Sequence, residues 1–165
     1  MLGDMRIIAN GVIVNAEGWE QKLEQNKRDY FDQLAASSRF TALYPQSLTP
    51  EQYVDALNSN AGGALSQTER DTLVSELKGG SKNRAQALRT VAEDSDLSRA
   101  EFNKAFVLMQ YFGYLRHNPD DLPDHDFGGW QFWLNKLNLF DGDFIQAEMV
   151  KAFLSSDEYV NRFGR

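Results

Sequence analysis

Apolar residues recur at three- and four-residue intervals along almost all of this chain, a pattern that predicts helices rather than strands. The exception is the front. There Ile7-Ile8 and Val12-Ile13-Val14 flank Asn10-Gly11, which predicts a small hairpin or a short extended arm packed on the body. The first helix is expected over residues 17–36, with Trp19, Leu23, Tyr30, Phe31 and Leu34 near one face. Ser37-Ser38 then offers a cap for a short helix that stops at Pro45. Thr49-Pro50-Glu51-Gln52 is a helix start, with Thr49 as cap, Pro50 in the first turn and Gln52 completing a capping box.

The punctuation continues downstream. Ser66-Gln67-Thr68-Glu69 is a second capping box, and Gly79-Gly80 ends its helix. Ser81 is expected to open the next helix, with Ala85, Leu88 and Val91 inward. Phe102, Phe106, Met109, Phe112 or Gly113, and Leu115 predict a long apolar helix over about residues 98–117, ending near Asn118-Pro119. A polar loop, 120–126, leads to a helix carrying Trp130, Trp133, Leu134 and Leu137, which stops at Asp141-Gly142-Asp143. Phe144, Ala147, Val150, Phe153 and Leu154 predict another helix. Ser155-Ser156-Asp157-Glu158 is expected to be a capping box that launches the last short helix through Phe163.

The chain also resembles itself. Tyr53 and Leu57 match Tyr111 and Leu115, while Leu73, Val74 and Leu77 match Trp133, Leu134 and Leu137. Val91 matches Phe153, and Phe102 matches Phe163, with small drifts in register that fall in loops. Ser37-Ser38-Arg39-Phe40 leading to Tyr44 parallels Ser156-Asp157-Glu158-Tyr159 leading to Phe163. The expected fold is therefore all-α, in tandem helical units sharing the long central helix. Residues 1–45 would be an arm, a helix and the tail of a preceding unit. Residues 46–102 would be a first, degenerate unit, and 98–165 a second. A unit of roughly 60 residues buries too little surface alone, so neighbours should share a core.

Certain stretches are similar to a known family. Tyr111-Phe112-Gly113-Tyr114-Leu115-Arg116-His117-Asn118-Pro119-Asp120 resembles the opening of the bacterial repeat called domain of unknown function 4214. Gly129-Trp130-Gln131-Phe132-Trp133 resembles its Gly-x-x-x-Trp element, and Phe153-Leu154-Ser155-Ser156-Asp157-Glu158-Tyr159 its closing segment. The likeness covers about residues 98–165. The loop 121–126 is longer than the family's, and the first unit lacks both the Arg-x-Pro-Asp and the Trp. The resemblance implies a module of exported, surface-layer-like, adhesin-like or calcium-repeat proteins. The closing segment is also similar to that of phycobilisome linker domains, which are helical assembly modules. Neither family brings a known active site to any residue here.

Composition narrows the function classes. The 165 residues are 42% hydrophobic and 25% charged, a globular balance. The net charge is −7 with cations scattered, so neither nucleic acid nor an anionic membrane surface is an expected partner. There are no cysteines, which removes disulfides, thiolate metal sites and Cys nucleophiles. No apolar run is long enough to span a membrane, and Met1-Leu2-Gly3-Asp4 does not open a signal peptide. If the parent protein is exported, this chain is expected to be an excised or processed part of it.

The richest polar cluster is Asp120, Asp121, Asp124 and Asp126, next to Trp130. Calcium favours several carboxylates on one loop, but the bidentate Glu that usually closes such a loop is missing. The other role for Asp120 and Asp126 is to cap or end helices. Trp130, Tyr114 and Trp133 are aromatic platforms for a sugar or else core residues. The histidines, His117 and His125, lie in no nucleophile context, and no catalytic residue, metal or cofactor is expected. The expected function is a non-catalytic assembly or anchoring module of a larger exported, surface-bound bacterial protein. Its partners would be other protein domains, cell-envelope components or a surface glycan. The alternative is a Ca²⁺- or carbohydrate-binding domain using Asp120, Asp124, Asp126 and Trp130 in the loop 120–130.

Overall fold

The computed structural model describes residues 2–122 and 125–164. The described chain is all helical, with no strand. It divides into two compact units, Met1–Leu97 and Ser98–Arg165. Among the described residues no helix is long and apolar enough to cross a membrane.

The first unit holds α1 (Leu2–Ile8), α2 (Trp19–Ala36), α3 (Ser38–Leu43), α4 (Pro50–Asn60), α5 (Gln67–Gly79) and α6 (Arg84–Ala92). Its front corrects the expectation of a hairpin or extended arm, because α1 is a helix followed by turns. The reason lies on α2. The buried Asn26 amide donates to the carbonyls of Ile8 (2.9 Å) and Asn10 (2.8 Å), tying off the end of α1. An isolated two-stranded hairpin is marginal in water, and there is no sheet here for it to join.

The caps of α3, α4 and α5 are those expected. The Ser37 hydroxyl accepts from Phe40 N, and Thr49 with Gln52 and Ser66 with Glu69 form reciprocal capping boxes. The start of α6 differs. Asn83 and Gln86 make its capping box, while the Ser81 hydroxyl donates to the Glu76 carbonyl at the end of α5. The core joins Phe40, Tyr44, Tyr53, Val54, Leu57, Leu73, Val74 and Val91, so residues on both sides of position 45 share it. Arg84 ties its edge together. The guanidinium lies 3.9 Å over the Tyr53 ring and donates to the Tyr44 carbonyl, while the Tyr53 hydroxyl donates to the Arg84 carbonyl at 2.9 Å.

Into the second unit runs α7 (Ser95–Gln110), its first turn capped by Asp94, whose carboxylate accepts from Asp96 N and Leu97 N. The expected helix over 98–117 is interrupted. At Tyr111 the coil widens into a π-helical turn, Tyr111–Leu115, closed by Arg116 N donating to the Tyr111 carbonyl at 2.7 Å. The buried face also differs from the expected one. Val107, Tyr111 and Leu115 face the core with Asn103 and Gln110, whereas Phe102 is 65% exposed and Met109 59%.

Next comes α8 (Gly128–Leu139), then α9 (Met149–Leu154) and α10 (Asp157–Phe163). The helix expected from Phe144 onward begins only at Met149. The Asp143 carboxylate accepts from Ile145 N and Gln146 N, and Asp141, Gly142 and Glu148 all have positive φ, so 141–148 is a string of turns. The core here is Val107, Tyr111, Leu115, Leu134, Leu137, Ala147, Met149 and Phe153.

Candidate functional site

The loop between the π-helical turn and α8 carries the residues proposed for binding, and most of its described polar groups are occupied in shaping it. The Asp121 carboxylate accepts from Asn118 N at 2.8 Å and from the Asn118 side chain at 3.1 Å, folding the loop back beside the buried Pro119. Asp126 Oδ1 accepts from Gly128 N at 2.6 Å in a turn just ahead of α8, but the N-cap position is Phe127 and has no side-chain cap, so Asp126 does not take the capping role expected as the alternative for it. Asp120 is exposed, and Asp124 lies outside the described residues. Among the described residues no group of three His, Asp or Glu comes together to hold a metal ion.

Trp130 does not stand free as a platform. It packs half-buried on the second core, edge-on to Phe127 at 6.1 Å between centroids, with its indole nitrogen buried and unpartnered. Trp133 lies against Phe153 at 5.5 Å, and Lys136 Nζ sits 5.2 Å from its ring.

A second cluster draws on residues distant in sequence. His117 is folded inward, its side chain only 8% exposed, and its Nε2 lies 2.7 Å from Glu158 Oε1 on α10. Arg162, one turn further along α10, approaches the same oxygen at 3.6 Å and donates to the Leu115 carbonyl at the end of the π-helical turn. The other ring nitrogen, Nδ1, faces the Asn118 carbonyl. Local chemistry explains the placement. Arg116, at φ 62, reverses the chain after the π-helical turn and turns His117 back toward the core. Ser156, rather than Ser155, is the cap of α10, so Tyr159 occupies the third position of the helix. Glu158 is therefore out of register for the expected capping box and is free to meet His117.

Beside this cluster is a cavity of about 170 Å³, lined by Tyr111, Leu115, Trp133, Phe153, Ser156 and Glu158. Its chemistry is limited by commitments already made. The Ser156 hydroxyl donates to the Phe153 carbonyl (2.8 Å) and accepts from Tyr159 N (3.1 Å), which is a cap and not an activated nucleophile. Both nitrogens of His117 face protein oxygens, so neither is placed to take a proton from a substrate. No sequence motif signals this cluster. Its only local trace is the Glu158–Arg162 spacing of four on one helix.

The first unit has a larger groove, about 460 Å³, between α2 and α6, with Phe31 and Ala85 among its lining. Arg89 grips both oxygens of Glu24 (2.6 and 2.8 Å) and reaches Glu93 with Nε at 2.8 Å. Lys27 joins Glu93 at 2.8 Å. The hydrogen bond from Arg89 holds the Glu24 carboxyl below the usual range. Burial pulls Glu93 upward, but Arg89 and Lys27 more than offset it and leave it lowered. These charges cancel one another across the groove, an arrangement suited to clasping two helices. No protein-family model, curated protein or solved structure matches the chain.

Proposed function

We propose that this chain is a non-catalytic assembly or anchoring module of a larger exported bacterial protein, built from repeated helical units akin to domain of unknown function 4214. The observation that carries the reading is the use each unit makes of the residues paired in sequence. Tyr53 and Tyr111, Leu57 and Leu115, Val74 and Leu134, and Val91 and Phe153 are all buried, each pair split between the two cores. The closing segments agree as well. Ser37 and Ser156 each donate to the carbonyl three residues back and accept from the amide three residues on.

Two further features favour assembly over chemistry. His117, Ser156 and Asp126 are engaged in protein contacts, which supports a structural use of the polar side chains. Phe102, Met109, Phe132, Leu139 and Ile145 of the second unit are exposed, which is the kind of apolar surface that partners cover. The partners proposed are other protein domains or components of the cell envelope.

The test is crosslinking of the purified chain to envelope fractions, with a variant in which Phe102 and Met109 are replaced by serine as the comparison. Crosslinked products formed by the native chain and lost in the variant are expected. No product with either chain would refute the reading. A melting temperature that rises in millimolar Ca²⁺ relative to EDTA, or hits on a glycan array, would favour binding at the loop 120–130 instead.

A further inference from the structure

The cavity of the second unit combines three aromatic rings with one carboxylate. Tyr111, Trp133 and Phe153 supply the rings, Glu158 the carboxylate, and the small residues Gly129 and Ala152 lie between them on the wall. The rings brace one another. Tyr111 and Phe153 are buried and stand edge-on at 5.2 Å, and Trp133 lies tilted on Phe153 at 5.5 Å. At about 170 Å³ the cavity is of the size that takes a small organic molecule, since about 150 Å³ accommodates benzene.

The acidic part of the wall lacks a donor. Glu158 Oε1 is buried and has no hydrogen-bond partner among the described residues. The same is true of His117 Nε2, 2.7 Å away on a side chain only 8% exposed. His117 Nδ1 faces the Asn118 carbonyl, an acceptor, so the single N–H of a neutral ring belongs on Nδ1 and Nε2 presents a lone pair. Two acceptors therefore face each other. Arg162 supplies neither with a hydrogen bond, because its Nη2 stays 3.6 Å from Oε1 while its Nη1 donates to the Leu115 carbonyl. A buried carboxylate oxygen without a donor is costly, and a ligand that brings one removes the cost.

We propose that this cavity binds a protonated alkylamine, its ammonium N–H groups donating to Glu158 Oε1 beside His117 Nε2 and its alkyl chain lying among Tyr111, Trp133 and Phe153. Each part of such a ligand has its match. The carboxylate forms a charge-assisted hydrogen bond with the ammonium. Aromatic faces attract a cation within about 6 Å and cover its methylenes. Trp133 already attracts an ammonium of this chain, for Lys136 Nζ lies 5.2 Å from its ring. A quaternary ammonium has no N–H for Oε1, and an alcohol has no charge, so both bind more weakly.

Titration of the whole isotope-labelled chain with n-butylammonium chloride at constant ionic strength, followed by amide NMR, tests this. Saturable shifts are expected at Trp133, Phe153 and Glu158. n-Butanol and tetramethylammonium should each bind the native chain at least about tenfold more weakly, the scale of one hydrogen bond to a charged group. Glu158→Gln, which keeps the shape of the side chain and removes its charge, should weaken n-butylammonium by a similar factor. Glu148→Gln, which alters an exposed acid outside the cavity, should leave the affinity unchanged. The comparison of ligands on the native chain holds whether or not a variant folds. Nα-acetyl-lysine amide binding as tightly as n-butylammonium would assign the site to a lysine side chain of a partner, and binding of the free amine alone would assign it to a small amine. Shifts that rise without saturating would overturn the site. Equal affinity in Glu158→Gln, or for n-butanol, would do the same, because the cavity would then be merely apolar.

Discussion

Leu137 and Leu139 lie two residues apart on α8 and are chemically identical, yet Leu137 is 0% exposed and Leu139 is 78% exposed. Leu137 sits among Val107, Tyr111, Leu134, Met149 and Phe153. Leu137→Ala removes buried methyl groups and leaves a void that the packed neighbours fill only in part, which costs about 2–5 kcal/mol. At about 0.05–0.15 kcal/mol per residue, a unit of this size holds a total of only roughly 3–10 kcal/mol, so the loss is a large share of it. Leu139→Ala deletes side-chain atoms that water already surrounds, and the expected change stays within about 0.5 kcal/mol. Helix propensity barely differs between the variants, because the replacement is the same on the same helix.

Urea unfolding followed by tryptophan fluorescence reads the effect directly, since Trp130 and Trp133 lie on α8 itself. The Leu137→Ala midpoint should move to clearly lower urea with an unchanged slope, while Leu139→Ala superimposes on the native curve. Equal losses in the two variants, or a greater loss from Leu139→Ala, would refute the packing described for the second unit.

Three other outcomes follow from the same reasoning. Ser66→Ala removes one half of the α5 capping box, and the melting temperature should drop by the equivalent of about 1 kcal/mol, with Ser81→Ala costing less. Burial pushes the Tyr53 hydroxyl up to about 12, so alkaline titration by tyrosinate absorbance should show one tyrosine ionising late. Because this folded value lies above the unfolded one, the associated stability is present below the normal tyrosine range and lost as pH rises toward about 12; Tyr53→Phe should abolish the late step. On the acid side, Glu24, Asp55 and Asp71 are lowered chiefly by hydrogen bonds, to Arg89, Arg70 and Gln67 in turn. Their folded values lie below the unfolded ones, so their contribution is present above the normal carboxylate range and is lost as pH falls through the lowered values. Thermal melts should show stability declining on acidification, and a melting temperature flat through that range would contradict the ion pairs described.

The amino-acid sequence by itself determined that the described chain is helical and where several of its helices begin. Those starts rest on groups no more than three residues apart, such as Thr49 with Gln52 or Ser66 with Glu69, so local chemistry is sufficient. Through the internal repeat it also paired Tyr53 with Tyr111 and Leu57 with Leu115, and all four are core positions, whereas helical spacing alone pointed to Phe102 and Met109, which are exposed. Tertiary structure decided the rest. Asn26 turns the strand-like front of the chain into a helix from a position well along α2. The π-helical turn and the reversal at Arg116 turn His117 toward Glu158, a residue far along the chain on another helix. The buried face of α7 is set by which neighbours pack on it, so Phe102 is left in water while Asn103 is enclosed. The physical distinction is range. A cap is satisfied by its own turn of backbone, whereas a buried amide, an ion pair or a helix face acquires its meaning only from the element that covers it.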